Sequence, residues 1–217
     1  MAGGNTTTRI LEGIFRLAER PDHATRWLRG KFEEGGSPLG SGLPWISWKA
    51  IDYLNKIDFR GKLVYEYGGG GSTIYFAKRG ARVVTIETNS DWTTLIDDAV
   101  KRHKLQDLVT IETIDLVDGQ SKQRYLDHIL TVDPWDVVLI DGDDTDYSGR
   151  CPYPISRMEC VPNVLKTVRP GCMAIVDDSW RPKYLSARES FASATRRAFR
   201  GLGPHRPGVT QTDIYSF

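Results

Sequence analysis

Cysteine and histidine are scarce in this sequence, and neither is spaced for metal or redox chemistry. Cys151, Cys160 and Cys172 are odd in number and lack C-x-x-C spacing, so neither a disulfide framework nor a thiolate zinc site is indicated. His23, His103, His128 and His205 form no H-x-x-x-H or H-x-H pair, and surface or packed histidines are expected rather than ligands. Net charge is almost absent as well. Lys and Arg number 29 against 28 Asp and Glu, a formal charge of +1, which gives no field to draw in nucleic acid or membrane without a local patch. A small-molecule substrate suits this balance better than a polyanion. No apolar run approaches the roughly 18 residues of a spanning helix. Met1 to Thr8 lacks the basic and apolar parts of a signal peptide, so a cytoplasmic protein is expected. No Pro/Gly/Ser linker divides the 217 residues, 40% of them hydrophobic, and one enzyme-sized core is expected. Homo-oligomer formation stays open.

What the chain does have is a concentrated glycine signal. Leu63-Val64-Tyr65-Glu66-Tyr67 is an apolar strand pattern ending in Gly68-Gly69-Gly70-Gly71-Ser72. Glycines are needed where backbone turns sharply off a strand and approaches a ligand closely. The run from Ser72 to Ala77 reads as a helix start. Arg82 to Glu87 reads as a second buried strand, whose terminal acid lies 19 residues beyond Gly68, the offset at which a carboxylate meets ribose hydroxyls. A nucleotide-type cofactor site follows. A dinucleotide fingerprint would need glycine where Thr73 stands, which weakens a nicotinamide oxidoreductase. A Walker-type loop would need a lysine, and none follows the glycines before Lys78. The bland alternative is a glycine-rich surface loop with a solvated Glu87.

The remaining pattern, an acid two residues before G-x-G with Ser/Thr after it, resembles the first motif of class I S-adenosylmethionine-dependent methyltransferases. The resemblance implies that Glu66, Gly68, Gly69, Gly70 and Ser72 pass the methionine part of the cofactor and that Glu87 holds its ribose. It also implies that an acid after the third strand accepts from the adenine amino group. Asp115 follows Val109 to Ile114 and is the choice; Asp118 competes, and either acid could instead cap the helix starting near Gln120.

Alternating strand runs and amphipathic segments predict an α/β, doubly wound fold. Strands are expected near 62–67, 82–87, 108–114, 136–141, 172–177 and 209–216. Helices are expected near 72–79, 90–104, 120–131, 155–168 and 184–197. The resemblance implies a seven-stranded, mostly parallel, Rossmann-like sheet with its last strand antiparallel. It divides the chain into a cofactor-binding domain over 61–217 and an extension over 1–60. The extension looks like added N-terminal helices, with Ile10, Leu11, Ile14, Phe15 and Leu17 near helical spacing. The break from Gly35 to Gly42, beside Trp45 and Trp48, is read either as a lid over the site or as a loop whose tryptophans pack on the core.

Two further strand ends carry acids. Val137 to Ile140 runs into Asp141-Gly142-Asp143-Asp144, and Met173 to Val176 into Asp177-Asp178. In a parallel doubly wound sheet both open on the same crevice as the glycine loop. Converging carboxylates repel, and a hard divalent cation relieves that repulsion, so Mg²⁺ is one explanation; helix caps facing solvent are the other. Here the chain resembles metal-dependent small-molecule O-methyltransferases, both the catechol and caffeoyl-CoA type and the macrolide and aminocoumarin sugar type. That resemblance implies Asp141, Asp177 and Asp178 as metal ligands, Asp141 also lining the cofactor and reaction site, and Asp143 as catalytic base. The catechol-type lysine is absent, Asp144 standing in its place. The stretch from Tyr147 to Pro154, leading into a helix with Arg157 and Cys160, departs from the sugar-type pattern. Small-molecule O-methylation is the leading expectation. A metal-independent enzyme acting on nitrogen or carboxylate, a nicotinamide oxidoreductase and a non-catalytic partner subunit remain alternatives. The basic C-terminal fifth, from Arg181 to Arg206, is read as a solvated face or as a site for an acidic substrate group.

Overall fold

The computed structural model describes residues 12, 15, 20–23, 25–26, 37–132, 134–142, 153–204 and 208–217. Seven strands form a single sheet: β1 (Leu63–Tyr67), β2 (Arg82–Glu87), β3 (Val109–Thr113), β4 (Val137–Ile140), β5 (Met173–Val176), β6 (Thr195–Gly201) and β7 (Thr210–Ser216). Their order is β3-β2-β1-β4-β5-β7-β6, parallel from β3 through β5, with β7 antiparallel to both its neighbours. The doubly wound, mostly parallel expectation holds, and so does the antiparallel last strand.

Alternation along the central strands divides the core in two. Val64, Val137, Leu139 and Ile175 face α1 (Pro38–Ser41), α2 (Trp48–Leu54), α3 (Gly71–Ala77) and α4 (Ser90–Arg102). Tyr65, Tyr67, Val138, Ile140, Ala174 and Val176 face α5 (Gly119–Asp127), α6 (Arg157–Thr167) and α7 (Ser186–Ser190). Strands covered on both faces must be apolar almost throughout, which is why β1 and β4 read as continuous hydrophobic runs. Side-chain caps set several helix starts: Ser47 for α2, Asn89 for α4, Asp118 for α5 and Ser156 for α6.

One expected element is corrected. The helix predicted over 184–197 ends at Ser190, and Thr195–Gly201 is instead the edge strand β6. Ala and Arg favour helix locally, but β7 presents an unpaired backbone edge, and β6 satisfies it over seven register pairs, from Thr195↔Ser216 to Gly201↔Thr210. In the extension, residues 12, 15, 21–23, 25 and 26 are helical. Phe15 is exposed, while Ile10, Leu11, Ile14 and Leu17 lie outside the described residues. From Ser37 onward the glycine-rich break is packed: Leu39 and Trp48 are buried, and Trp45 is partly exposed. No helix among the described residues is long and apolar enough to cross a membrane.

Candidate functional site

Strand register assembles the site. Tyr67 on β1 is level with Ile86 on β2 and with Ile140 on β4, and Ile140 with Val176 on β5. One residue further, Gly68, Glu87, Asp141 and Asp177 therefore stand in a row along the carboxyl edge. The row straddles the point between β1 and β4 where the strand order reverses, the usual ligand crevice of an open parallel sheet.

The glycine loop is held from both sides. Gly68 adopts φ +90°, and a Cβ there would lie 2.5 Å from the Gly142 Cα, so only glycine lets the β1 and β4 ends approach. A Cβ on Gly71 would come within 2.1 Å of the Leu43 carbonyl oxygen, which is how closely the segment before α2 sits on α3. The Gly69 amide donates to Glu87 Oε1 at 2.6 Å, the Thr88 amide to Glu87 Oε2 at 3.1 Å, and Trp92 Nε1 to the Gly69 carbonyl at 3.0 Å. Thr73 joins the loop to β1: its hydroxyl donates to Glu66 Oε2 at 2.6 Å and accepts from the Gly70 amide at 3.0 Å. Sequence reasoning missed Thr73 and Trp92 as loop supports, treating Thr73 only as a missing glycine.

Glu66 is fully buried. Burial pushes its pKa up to about 8; the hydroxyls of Ser72 and Thr73 oppose this, and Asp141 and Glu87 add to it. Its Oε1 is buried with no hydrogen-bond partner among the described residues. An orphaned carboxylate oxygen beside a glycine cradle, with a second carboxylate at Glu87 level with Gly68 along the same edge, fits a ligand bringing ammonium and diol donors. S-adenosylmethionine is such a molecule. The competition between Asp115 and Asp118 is partly resolved by local geometry. Asp118 caps α5, accepting from the Ser121 amide at 2.6 Å, while Asp115 is exposed at the end of β3.

The expected metal acids lie elsewhere in the same row, but they already have a counter-charge. Arg157, buried at the start of α6, donates from Nε to the Gly142 carbonyl (2.9 Å) and from Nη1 to the Asp177 carbonyl (3.1 Å). Its Nη2 donates to the Asp141 carbonyl (3.2 Å) and pairs with Asp141 Oδ1 at 2.9 Å. Burial alone would lower its pKa, but Asp141, Tyr184, Asp177 and Asp178 raise it, so the guanidinium stays charged. Asp177 and Asp178 are fully buried. Thr212 donates to Asp177 Oδ1 at 2.8 Å; Thr210 and Trp180 Nε1 donate to Asp178 Oδ1 at 2.8 and 3.1 Å; Arg181 pairs with Asp178 Oδ2 at 2.5 Å.

This donor set does not fit Mg²⁺. The ion needs about six oxygens at roughly 2.0–2.1 Å and keeps several waters, whereas Asp177 and Asp178 are fully buried, Asp141 is partly buried, and all three are bonded to threonines or guanidinium groups. Among the described residues, the group whose ligand atoms lie within 4.8 Å of one another is a different one, Asp22, His23 and Asp52. There Arg20 and Arg26 already bond Asp52, at 3.2 and 2.6 Å. Asp143, the expected base, and Asp144 lie outside the described residues.

The other polar candidates are occupied within the fold. His23 shares a hydrogen bond with Asp52 at 3.0 Å, and His128 lies 2.9 Å from the Tyr65 hydroxyl and 3.1 Å from Glu112. Of the C-terminal arginines, Arg196 pairs with Asp213, Arg200 with Glu12, and Arg197 lies over Tyr53.

No family model and no curated protein matches the sequence. Solved structures do match. An O-methyltransferase from Bacillus cereus in complex with SAH is 20% identical, with 100% of this chain and 93% of that one covered, at a TM-score of 0.55. The O-methyltransferase TomG from Streptomyces achromogenes, involved in tomaymycin synthesis and solved with SAM, is 15% identical over 99% and 100%, at 0.55. The precorrin-8w decarboxylase of Methanobacterium thermoautotrophicum is 17% identical over 77% and 87%, at 0.53. At these identities the likeness concerns architecture alone. Strand order, switch-point row and structural neighbours agree that this chain has the fold of class I S-adenosylmethionine-dependent methyltransferases.

Proposed function

We propose that the protein is an S-adenosylmethionine-dependent methyltransferase acting on an oxygen of a small molecule. One observation carries the reading. Glu66, the glycine loop and Glu87 converge at the switch point, with a fully buried, unpartnered carboxylate oxygen beside them. The acceptor class is supported more lightly, by the near-zero net charge and by neighbours of the same architecture that are small-molecule O-methyltransferases.

Bound here, S-adenosylmethionine supplies a sulfonium methyl open to in-line displacement. The protein's own contribution is alignment and proton management. Glu87 accepts from the ribose diol while its other lone pairs fix the loop through Gly69 and Thr88. Glu66 faces the amino-acid part, and Asp115 accepts from the adenine amino group. Gly68 lets the loop close against Gly142, setting the depth of the crevice. Asp143, two residues beyond Asp141, is assigned as the base that takes the acceptor hydroxyl's proton.

Calorimetric titration of S-adenosylhomocysteine tests the cofactor half. Wild type should bind at micromolar Kd, and Glu87→Ala should bind roughly 10- to 100-fold more weakly, the loss expected for charge-assisted hydrogen bonds. Absence of heat with folded wild type would remove the methyltransferase reading.

A further inference from the structure

We infer that Arg157 takes the place of a divalent cation at the ends of β4 and β5, and that methyl transfer by this protein is metal-independent. The second clause rests on the methyltransferase reading; the first does not.

The position is an expensive one for arginine. Arg157 is the first residue of α6, where the positive end of the helix dipole disfavours a cation, and its side chain is 8% exposed, so the guanidinium has lost most of its hydration. Only specific partners offset both costs. All three guanidinium nitrogens point at the carboxyl edge, reaching the Gly142, Asp177 and Asp141 carbonyls and the Asp141 carboxylate. The fork thereby ties β4 to β5 and holds Asp141 level with Gly68. The Tyr184 ring, 5.4 Å from the guanidinium carbon, covers the group from the side.

A bound Mg²⁺ would gather carboxylate oxygens and orient the strand ends. Arg157 does both through planar, permanently charged donors. The remaining acids are settled separately. Thr212 donates to Asp177 while accepting from the Ser47 amide at 3.0 Å, which links the carboxylate to the cap of α2. Asp178 has Arg181. A metal could reach Asp141 and the two strand ends only by displacing the guanidinium. Arg157 is thus a positioning residue, acting on the reaction through Asp141 and the strand ends.

The test compares wild type, Arg157→Met and Arg157→Lys in EDTA, in millimolar MgCl₂ and in millimolar MnCl₂. It reads thermal unfolding and, separately, calorimetric binding of S-adenosylhomocysteine. Wild type should unfold within about 1 °C and bind within about twofold across all three conditions. Arg157→Met, which removes the guanidinium from Asp141 and the donor from the Gly142 and Asp177 carbonyls, should unfold about 10 °C lower in EDTA and recover several degrees with Mn²⁺ or Mg²⁺, because a cation can then enter. Arg157→Lys should lie between the two, having the charge but not the fork. A wild-type protein that gains stability or about tenfold in affinity with Mg²⁺ would overturn the inference, and so would an Arg157→Met protein that folds yet shows no divalent rescue. Should Arg157→Met fail to fold, the wild-type and Arg157→Lys arms still decide. Failure of S-adenosylhomocysteine to bind anywhere would remove the methyltransferase reading alone, since the unfolding measurements need no cofactor.

Discussion

Glu66 shows how burial, rather than residue type, sets the charge in the crevice. Its carboxyl sits in a fully buried strand with two other acids, Asp141 and Glu87, adding to the upward shift and only hydroxyls opposing it, so its folded pKa of about 8 stands far above the ordinary 4.5. The folded state therefore binds a proton that the unfolded chain releases between these values. Stability contributed at low pH is lost as pH rises from 4.5 through about 8. Glu66→Gln removes this dependence. The variant should match or exceed wild type in unfolding free energy above pH 8, by up to a few kcal/mol, with the difference vanishing near the unfolded pKa. A wild-type curve parallel to the variant's across that window would contradict the assignment. For the same reason, affinity for cationic S-adenosylmethionine should increase as pH rises toward 8, where the cofactor's positive charge helps ionise Glu66.

Element-scale differences between expectation and structure concentrate at the edge of the sheet. The central strands were legible because residues buried on both faces must be apolar, as in Val64-Tyr65 and Val137-Val138-Leu139-Ile140. Thr195-Arg196-Arg197-Ala198 has no such constraint: it is exposed, carries two helix-favouring arginines, and became a strand only because β7 lay beside it. Its charges then serve the sheet. Arg196 Nε donates at 2.7 Å to Asp213 Oδ2, a fully buried carboxylate on β7 that also accepts from Gln211. Arg196→Ala should cost about 1–2 kcal/mol in urea unfolding, tempered because Gln211 and Tyr215 remain and the arginine is one-third exposed. A change below about 0.3 kcal/mol would mean that the pair contributes nothing to holding the edge.

At the scale of the whole molecule, charge fastens the chain before the glycine loop to the core at two points among the described residues. Asp52 on α2 gathers Arg20, His23 and Arg26, with Arg26 also lying 4.1 Å over the Trp48 ring, and Glu12 forms a two-pronged pair with Arg200 on β6. Of these residues only Arg200, on β6, belongs to the seven strands; Asp52 and its partners lie outside them. Asp52→Asn should therefore speed proteolytic cleavage before Ser37 severalfold while leaving the main unfolding transition within about 1 kcal/mol. Equal cleavage rates in the two proteins would show that the segment is held by other means.

From sequence alone, the order of strands and helices, the glycine loop and the acid 19 residues beyond Gly68 were all readable, because each is a local pattern: alternation, capping, or a steric need for glycine. The identity of the edge strand and the partners of the buried acids were not. Those depend on which distant groups the register brings level. Arg157 lies 16 residues from Asp141 and 20 from Asp177 along the chain, and no spacing rule marks such a pair. Three strand-end acids read in isolation call for an external cation, and only tertiary packing could supply an internal one.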